Sequence, residues 1–260
     1  MEIIILASPA AIGELAARKV ARTIQQKPTA VVGLATGSSP LAIYAELADQ
    51  VRHRALSVAG VRAFALDEYV GLPVEHPQSY ASVIRREVTE PLGLDPAHVF
   101  VPDGCAKDLE AACQRYEAAI EAAGGVDIQI LGIGANGHIG FNEPTSSLSS
   151  RTRLKTLALQ TRADNARFFD RPDDVPTHCV TQGLGTIMDA REVVLVAQGT
   201  EKAPAIASAV EGPVSARCPG SVLQFHPHAT LILDEAAAAQ LTLRDYYHHT
   251  YANKPDWQRF

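Results

Sequence analysis

Short apolar runs of strand length recur along the chain at residues 3–6, 31–35, 63–66, 126–133, 192–197 and 229–233, with helical stretches between them. This alternation limits the fold more than any other feature. It predicts a three-layer α/β/α architecture, a mostly parallel, Rossmann-like sheet with helices on both faces. One connecting segment shows why helices are expected. Leu109, Ala112, Cys113, Tyr116 and Ile120 fall on one stripe at helical spacing, while Lys107, Asp108, Glu117 and Glu121 lie off it. At 260 residues the chain suits a single domain, 1–260, and no repeat, low-complexity tract or Pro/Gly-rich linker divides it. The polar stretch 146–153 reads as lid and surface.

Composition removes several classes of function. A net charge of -6 with dispersed Lys and Arg lacks the basic footprint of a nucleic-acid binder, and no basic run marks a membrane surface. The apolar start, residues 2–7, is too short for a membrane span and lacks the basic lead of a signal peptide, so it reads as a buried first strand. Cys105, Cys113, Cys179 and Cys218 form no C-x-x-C pair, which suggests neither a zinc knuckle nor a disulfide framework. A reducing cytoplasm is the default. His226, His228, His248 and His249 have no flanking acidic or Cys ligands and read as surface or structural histidines; no metal site is expected.

In open parallel sheets ligands bind beyond the carboxyl ends of the strands, so the loops directly after the apolar runs carry the functional signal. Thr36, Gly37, Ser38 and Ser39 form a small-residue turn, with Ser39 expected to cap a helix that has Pro40 at its first position. Such a turn lets backbone N–H groups and a helix N-terminus meet a phosphate, though the same residues also make an ordinary tight connection. No Gly-Lys-Ser/Thr follows, which disfavours a nucleoside triphosphate. Asp67 and Glu68 stand at the next strand end; Asp67 is either a turn residue or a short, rigid proton-transfer base. Gly132, Gly134, Gly137 and Gly140 allow a sharp loop that brings His138 and Glu143 together as an acid–base pair. The spacing matches G-x-G-x-x-G, but no ribose-binding acid follows some twenty residues on, so a dinucleotide is not expected. Lys202, just after the run 192–197, is placed to meet an anion.

The ordered set Ala35-Thr-Gly-Ser-Ser-Pro40, Leu66-Asp-Glu-Tyr-Val-Gly-Leu72, His76-Pro-x-Ser-Tyr80, Gly134-Ala-Asn-Gly-His-Ile-Gly-Phe-Asn-Glu-Pro144 and Ser150-Arg-Thr-Arg153 resembles the glucosamine-6-phosphate deaminase (isomerase) family nearly end to end. The stretches 161–169, 199–202, 209–212 and 223–226 fit the same family. The resemblance implies deamination and isomerisation of glucosamine 6-phosphate to fructose 6-phosphate and ammonia, in amino-sugar catabolism, with no metal or organic cofactor. It implies that Asp67 moves a proton from C2 to C1, with Glu68 beside it on the substrate side. It gives His138 ring opening, with Asn136 and Glu143 as partners. Thr36, Gly37, Ser38, Ser39, Arg167 and Lys202 would hold the phosphate, under an active-site lid around 157–180. In family members that are allosteric hexamers, N-acetylglucosamine 6-phosphate binds between subunits; the match covers Ser146, Ser147, Arg153 and Lys155, and monomeric members also exist.

Some members carry Asp at position 136. The Asn136 amide can orient the imidazole but cannot stabilise its cation by charge, so a shifted pH profile is expected rather than lost activity. Three other readings stand beside this one. Galactosamine-6-phosphate deamination differs by one hydroxyl. A 6-phosphogluconolactonase-like hydrolase would not need the Asp67 shuttle. A non-catalytic sugar-phosphate sensor predicts a DNA-binding segment before the first strand and erosion of the acid–base set, and neither is expected here.

Overall fold

The computed structural model describes residues 1–260. In chain order the elements are β1 (Glu2–Leu6), α1 (Pro9–Gln26), β2 (Val31–Leu34), α2 (Leu41–Arg52), β3 (Arg62–Ala65) and β4 (Asp67–Tyr69). Then come α3 (Tyr80–Ile84), α4 (Glu90–Leu92), β5 (Val99–Phe100), α5 (Leu109–Ala122), β6 (Ile128–Leu131), β7 (Arg153–Thr156) and α6 (Leu159–Asn165). The chain closes with β8 (His178–Thr181), α7 (Leu184–Met188), β9 (Glu192–Ala197), α8 (Ala203–Val210), β10 (Ala229–Asp234) and α9 (Arg244–Ala252).

Seven strands form one parallel sheet in the order β1-β10-β9-β6-β2-β3-β5. All six apolar runs of the sequence are strands of it. The central ones are buried along their whole length, as β2 and β6 show, because helices cover both faces and leave no solvent side. Local chemistry starts the helices. Ser8 caps α1 through the Ala11 N–H with Pro9 at the first position, and Asp108 caps α5 through the Ala111 N–H. Cys113, Tyr116 and Ile120 pack inward from α5 as their spacing requires. From β2 the chain winds outward to β3 and β5, whereas from β6 it winds the other way to β9 and β10. The order therefore reverses between β2 and β6, and the crevice outside their carboxyl ends is the expected ligand site.

A second, three-stranded antiparallel sheet, β4-β8-β7, stands beyond that crevice. Several expectations change here. Asp67 and Glu68 lie in a strand, not a loop, with Asp67 opposite Thr181. The polar stretch 146–153 is not simply lid and surface: Ser146 and Thr152 are buried, the Thr152 N–H binds Glu117, and the stretch leads into β7. Residues 178–180, expected within a lid, belong to the inner strand β8. Helix α2 begins one residue later than expected, with Pro40 at the cap position and no side-chain cap bond from Ser39. Proline has no N–H, so this start costs no donor.

Candidate active site

A crevice of about 430 Å³ opens at the carboxyl ends of β2, β3 and β6, at the reversal of strand order. Thr36, Gly37, Ser38 and Ser39 line one side as the β2–α2 turn, and Asp67 and His138 line the wall beneath. Arg167 and Lys202 reach it from the segment after α6 and from the β9–α8 connection. These groups, scattered over 167 residues of chain, converge because each follows a strand or covers strand ends.

Asp67 is 5% exposed, and its carboxylate accepts no hydrogen bond from a side chain or from the backbone. Burial, reinforced by the charge of Glu68, pushes its carboxyl up to about 8. Glu68 faces the other way, since alternate side chains of a strand point to opposite faces. Its oxygens accept from the backbone N–H groups of Tyr69, Tyr80 and Ala81 at 2.8–2.9 Å, fixing the start of α3 against β4. Burial raises Glu68 also, although those three donors oppose it. The expectation that Glu68 meets substrate is corrected. It does not line the crevice, and its acceptor capacity is spent on the backbone.

The loop after β6 builds the opposite wall. The Gly134 N–H binds the His138 carbonyl at 2.8 Å and the Gly137 N–H binds the Gly134 carbonyl at 2.9 Å. This tight turn folds the imidazole over residue 134, where a Cβ would come within 2.1 Å of the ring; only glycine fits. Asn136 Nδ2 donates to Glu143 Oε2 at 2.7 Å, and that contact fixes which way the amide points. Its Oδ1 then faces His138 Nδ1 at 2.7 Å. The imidazole must carry its proton on Nδ1, which leaves Nε2 as an acceptor. Glu143 Oε2 is 3.6 Å from Nδ1, so the carboxylate acts on the ring chiefly through the amide.

Burial alone would raise Glu143, yet His138, Thr161 and Asn136 together hold it down to about 2. Its other oxygen accepts the Ala158 N–H at 3.1 Å, just before α6. Burial lowers the Lys202 ammonium from its usual range, against the nearby Asp164 and Glu201 carboxylates. An anion arriving beside Lys202 would restore it.

The remaining sequence candidates lie elsewhere. Ser146, Ser147, Arg153 and Lys155 do not line this crevice. Arg153 Nη1 donates to Asn142 Oδ1 at 2.8 Å, while Arg153 Nη2 and Ser146 Oγ are buried without a partner. His226 is structural, its Nε2 donating to the Ala190 carbonyl at 2.8 Å. No group of three or more His, Cys, Asp or Glu side chains is arranged to hold a metal ion. No helix is long and apolar enough to cross a membrane. Sequence reasoning assigned no role to Tyr69, Tyr80, Phe141, Thr161 or Asn165, all at or beside the crevice. The signal available was their place in the motifs 66–72, 76–80, 134–144 and 161–169.

Fold and crevice together are those of a doubly wound α/β protein with an acid–base site at a strand reversal. The family model of glucosamine-6-phosphate isomerases and 6-phosphogluconolactonase matches residues 7–232, and the chain belongs to that family. It is 60% identical over 259 residues to a glucosamine-6-phosphate deaminase of Pseudarthrobacter chlorophenolicus, covering 99% of both chains. Against a glucosamine-6-phosphate deaminase of Streptomyces coelicolor the identity is 59%, with the same coverage. Among solved structures, a monomeric glucosamine-6-phosphate deaminase superposes with a TM-score of 0.90 at 40% identity, over 92% of this chain and 100% of that one. A 6-phosphogluconolactonase from Trypanosoma cruzi gives 0.75 at 22% identity, over 93% of this chain and 97% of that one, which is a likeness of fold alone.

Proposed function

We infer that the protein converts glucosamine 6-phosphate and water to fructose 6-phosphate and ammonia. The observation that carries this reading is the pairing, in one crevice, of a buried carboxylate raised to about 8 with an imidazole whose Nε2 is free to accept a proton. The phosphate is held by the 36–39 turn with Arg167 and Lys202, where the N-terminus of α2 adds partial positive charge. His138 Nε2 takes the anomeric hydroxyl proton and returns it to the ring oxygen, opening the pyranose. Asn136 and Glu143 keep the ring in the tautomer this needs. Asp67, ionised, removes the proton from C2 and delivers it to C1, leaving a ketimine at C2. Water adds to that carbon and ammonia leaves. A base with its pKa near the working pH is effective at taking a carbon-bound proton and giving it back.

Residues 159–169 cover the crevice and serve as the lid, shutting bulk water from the C2 proton transfer. The Ser146, Ser147, Arg153 and Lys155 cluster is read as a site for N-acetylglucosamine 6-phosphate. Two buried, partnerless polar groups there support it, and so does β8, whose Thr181 is opposite Asp67 on one side and Arg153 on the other. The reaction belongs in the cytoplasm, in keeping with four unpaired cysteines.

Ammonia release and fructose 6-phosphate formation from glucosamine 6-phosphate, with galactosamine 6-phosphate alongside, test the activity; turnover of neither sugar overturns it. Sigmoidal saturation that the acetylated sugar phosphate makes hyperbolic, together with a hexamer by sedimentation, is expected of the second site. A monomer with hyperbolic kinetics indifferent to that compound would remove it.

A further inference from the structure

Tyr69 is two residues from Asp67 on β4, so both side chains point to the crevice while Glu68 between them points away. The phenol is 1% exposed and packs among Tyr80, Phe141 and Phe169, with ring centroids 4.9, 5.7 and 5.8 Å away. A phenylalanine would pack equally well in such a nest. A hydroxyl buried there needs partners, and it has them. It accepts from Asn165 Nδ2 at 2.9 Å and from the Tyr80 hydroxyl at 3.4 Å.

These three side chains join parts of the site that are remote in sequence. Tyr80 opens α3, Tyr69 shares a strand with Asp67, and Asn165 closes α6 two residues before Arg167. The other end of α6 is fastened separately. Glu143 takes the Ala158 N–H, and Thr161, one helical turn before Asn165, lies near enough to the same carboxylate to help hold its pKa down. Thr161 and Asn165 stand at i and i+4 and share the helix face turned to the crevice.

We propose that Tyr69 is a positioning residue: its hydroxyl latches the covering segment 159–169 to the strand bearing Asp67, so that Arg167 is held over the phosphate turn when substrate is bound. The proposal rests on the reading of Arg167 as a phosphate ligand and Asp67 as the base. Loss of the latch leaves the base and the relay intact and weakens the hold on the phosphate. It therefore acts on KM rather than kcat.

The test uses Tyr69→Phe, Asn165→Leu and the double variant in the full chain. Each single change is expected to raise KM for glucosamine 6-phosphate roughly three- to tenfold, the worth of one buried hydrogen bond, with kcat within about twofold of wild type. The double variant should be no worse than Tyr69→Phe, in which the bond that Asn165→Leu removes is already gone. Saturating fructose 6-phosphate should slow amide exchange across 159–169 in the wild type and much less in Tyr69→Phe. An unchanged KM, a fall in kcat alone, additive losses, or equal protection in Tyr69→Phe would each overturn the latch. Failure of the base reading is distinguishable: Asp67→Asn would then turn over normally, whereas the exchange measurement needs only ligand binding.

Discussion

Asp67, on the wall of the crevice, and Glu143, behind it in the loop that carries Asn136 and His138, are both carboxylates 5% exposed, and the protein drives them in opposite directions. Asp67 has no donor and a like charge beside it, so burial wins and the group rises to about 8. Glu143 is as little exposed but less deeply set, and it meets the Asn136 amide, the Ala158 N–H and the His138 ring, so it falls to about 2. Surface exposure alone therefore does not decide what a carboxylate does. Its depth and the donors facing it do together, and a pair driven apart in this way marks a base and an orienting anion. A third carboxylate sharpens the contrast, because Glu68, adjacent to Asp67, spends its oxygens on three backbone donors and becomes a structural post.

Changes at these positions should separate the roles by size. The largest effect is expected for Asp67→Asn, a loss of about 10²–10⁴ in kcat with substrate binding retained, measured by ammonia release. The same change should make the fold more stable at high pH. With its pKa raised on folding, Asp67 contributes stability that is complete below the ordinary carboxylate range and lost as pH climbs through about 8. Asp67→Asn should therefore melt above wild type beyond pH 8.

Glu143→Gln is expected to cost about 10–10² in kcat. An amide at 143 no longer forces Nδ2 of Asn136 toward it, and the imidazole loses its fixed tautomer. Its stability sign is opposite to that of Asp67→Asn. The depressed carboxyl contributes above the ordinary carboxylate range and loses its effect as pH falls through about 2, so the Gln variant should melt below wild type at neutral pH. Glu68→Gln should lower melting temperature with less than about a tenfold change in kcat, since it weakens the α3 anchorage without touching the substrate. Asn136→Asp should move the kcat/KM profile along the pH axis with smaller change in its maximum; coincident profiles would show that amide and carboxylate are equivalent there.

A larger cavity, about 840 Å³, lies at the opposite ends of β1 and β10, between α1, α9 and the C-terminal tail. Lys19 there pairs with Glu192 and Lys254 with Glu2, and Arg22 donates to the Arg259 carbonyl. Size alone would have chosen the wrong end of the sheet. Tyr246→Ser at that end should leave kcat and KM within about twofold of wild type, the ordinary result for an exposed position remote from the chemistry.

The parallel sheet was legible because each of its longer strands is buried on both faces and writes a continuous apolar run. The antiparallel sheet was not. Asp67-Glu-Tyr69 is three residues of mixed polarity, and Arg153-Leu-Lys-Thr156 alternates weakly, so neither shows an apolar signal; pairing with β8 makes them strands. Lone motif residues were readable as types but not as directions. Glu68 has the composition of a site residue, and only strand alternation together with the placement of α3 turns it away. Ser146 looked like surface because its neighbours are polar, yet it is 2% exposed. Conversely, His138 and Glu143 were readable as a pair, since a turn with glycines at 134 and 137 leaves few ways to close, whereas Asn136 joined them only through the family resemblance.

The claim on which the mechanism turns is that Asp67 is the base, and the pH dependence of kcat/KM in wild type and Asp67→Asn tests it most directly. Wild type is expected to gain activity as Asp67 ionises, rising with pH and levelling above about 8. The variant should lie about 10²–10⁴ lower and lose that rise. A variant within roughly tenfold of wild type that keeps the same rise would contradict the assignment.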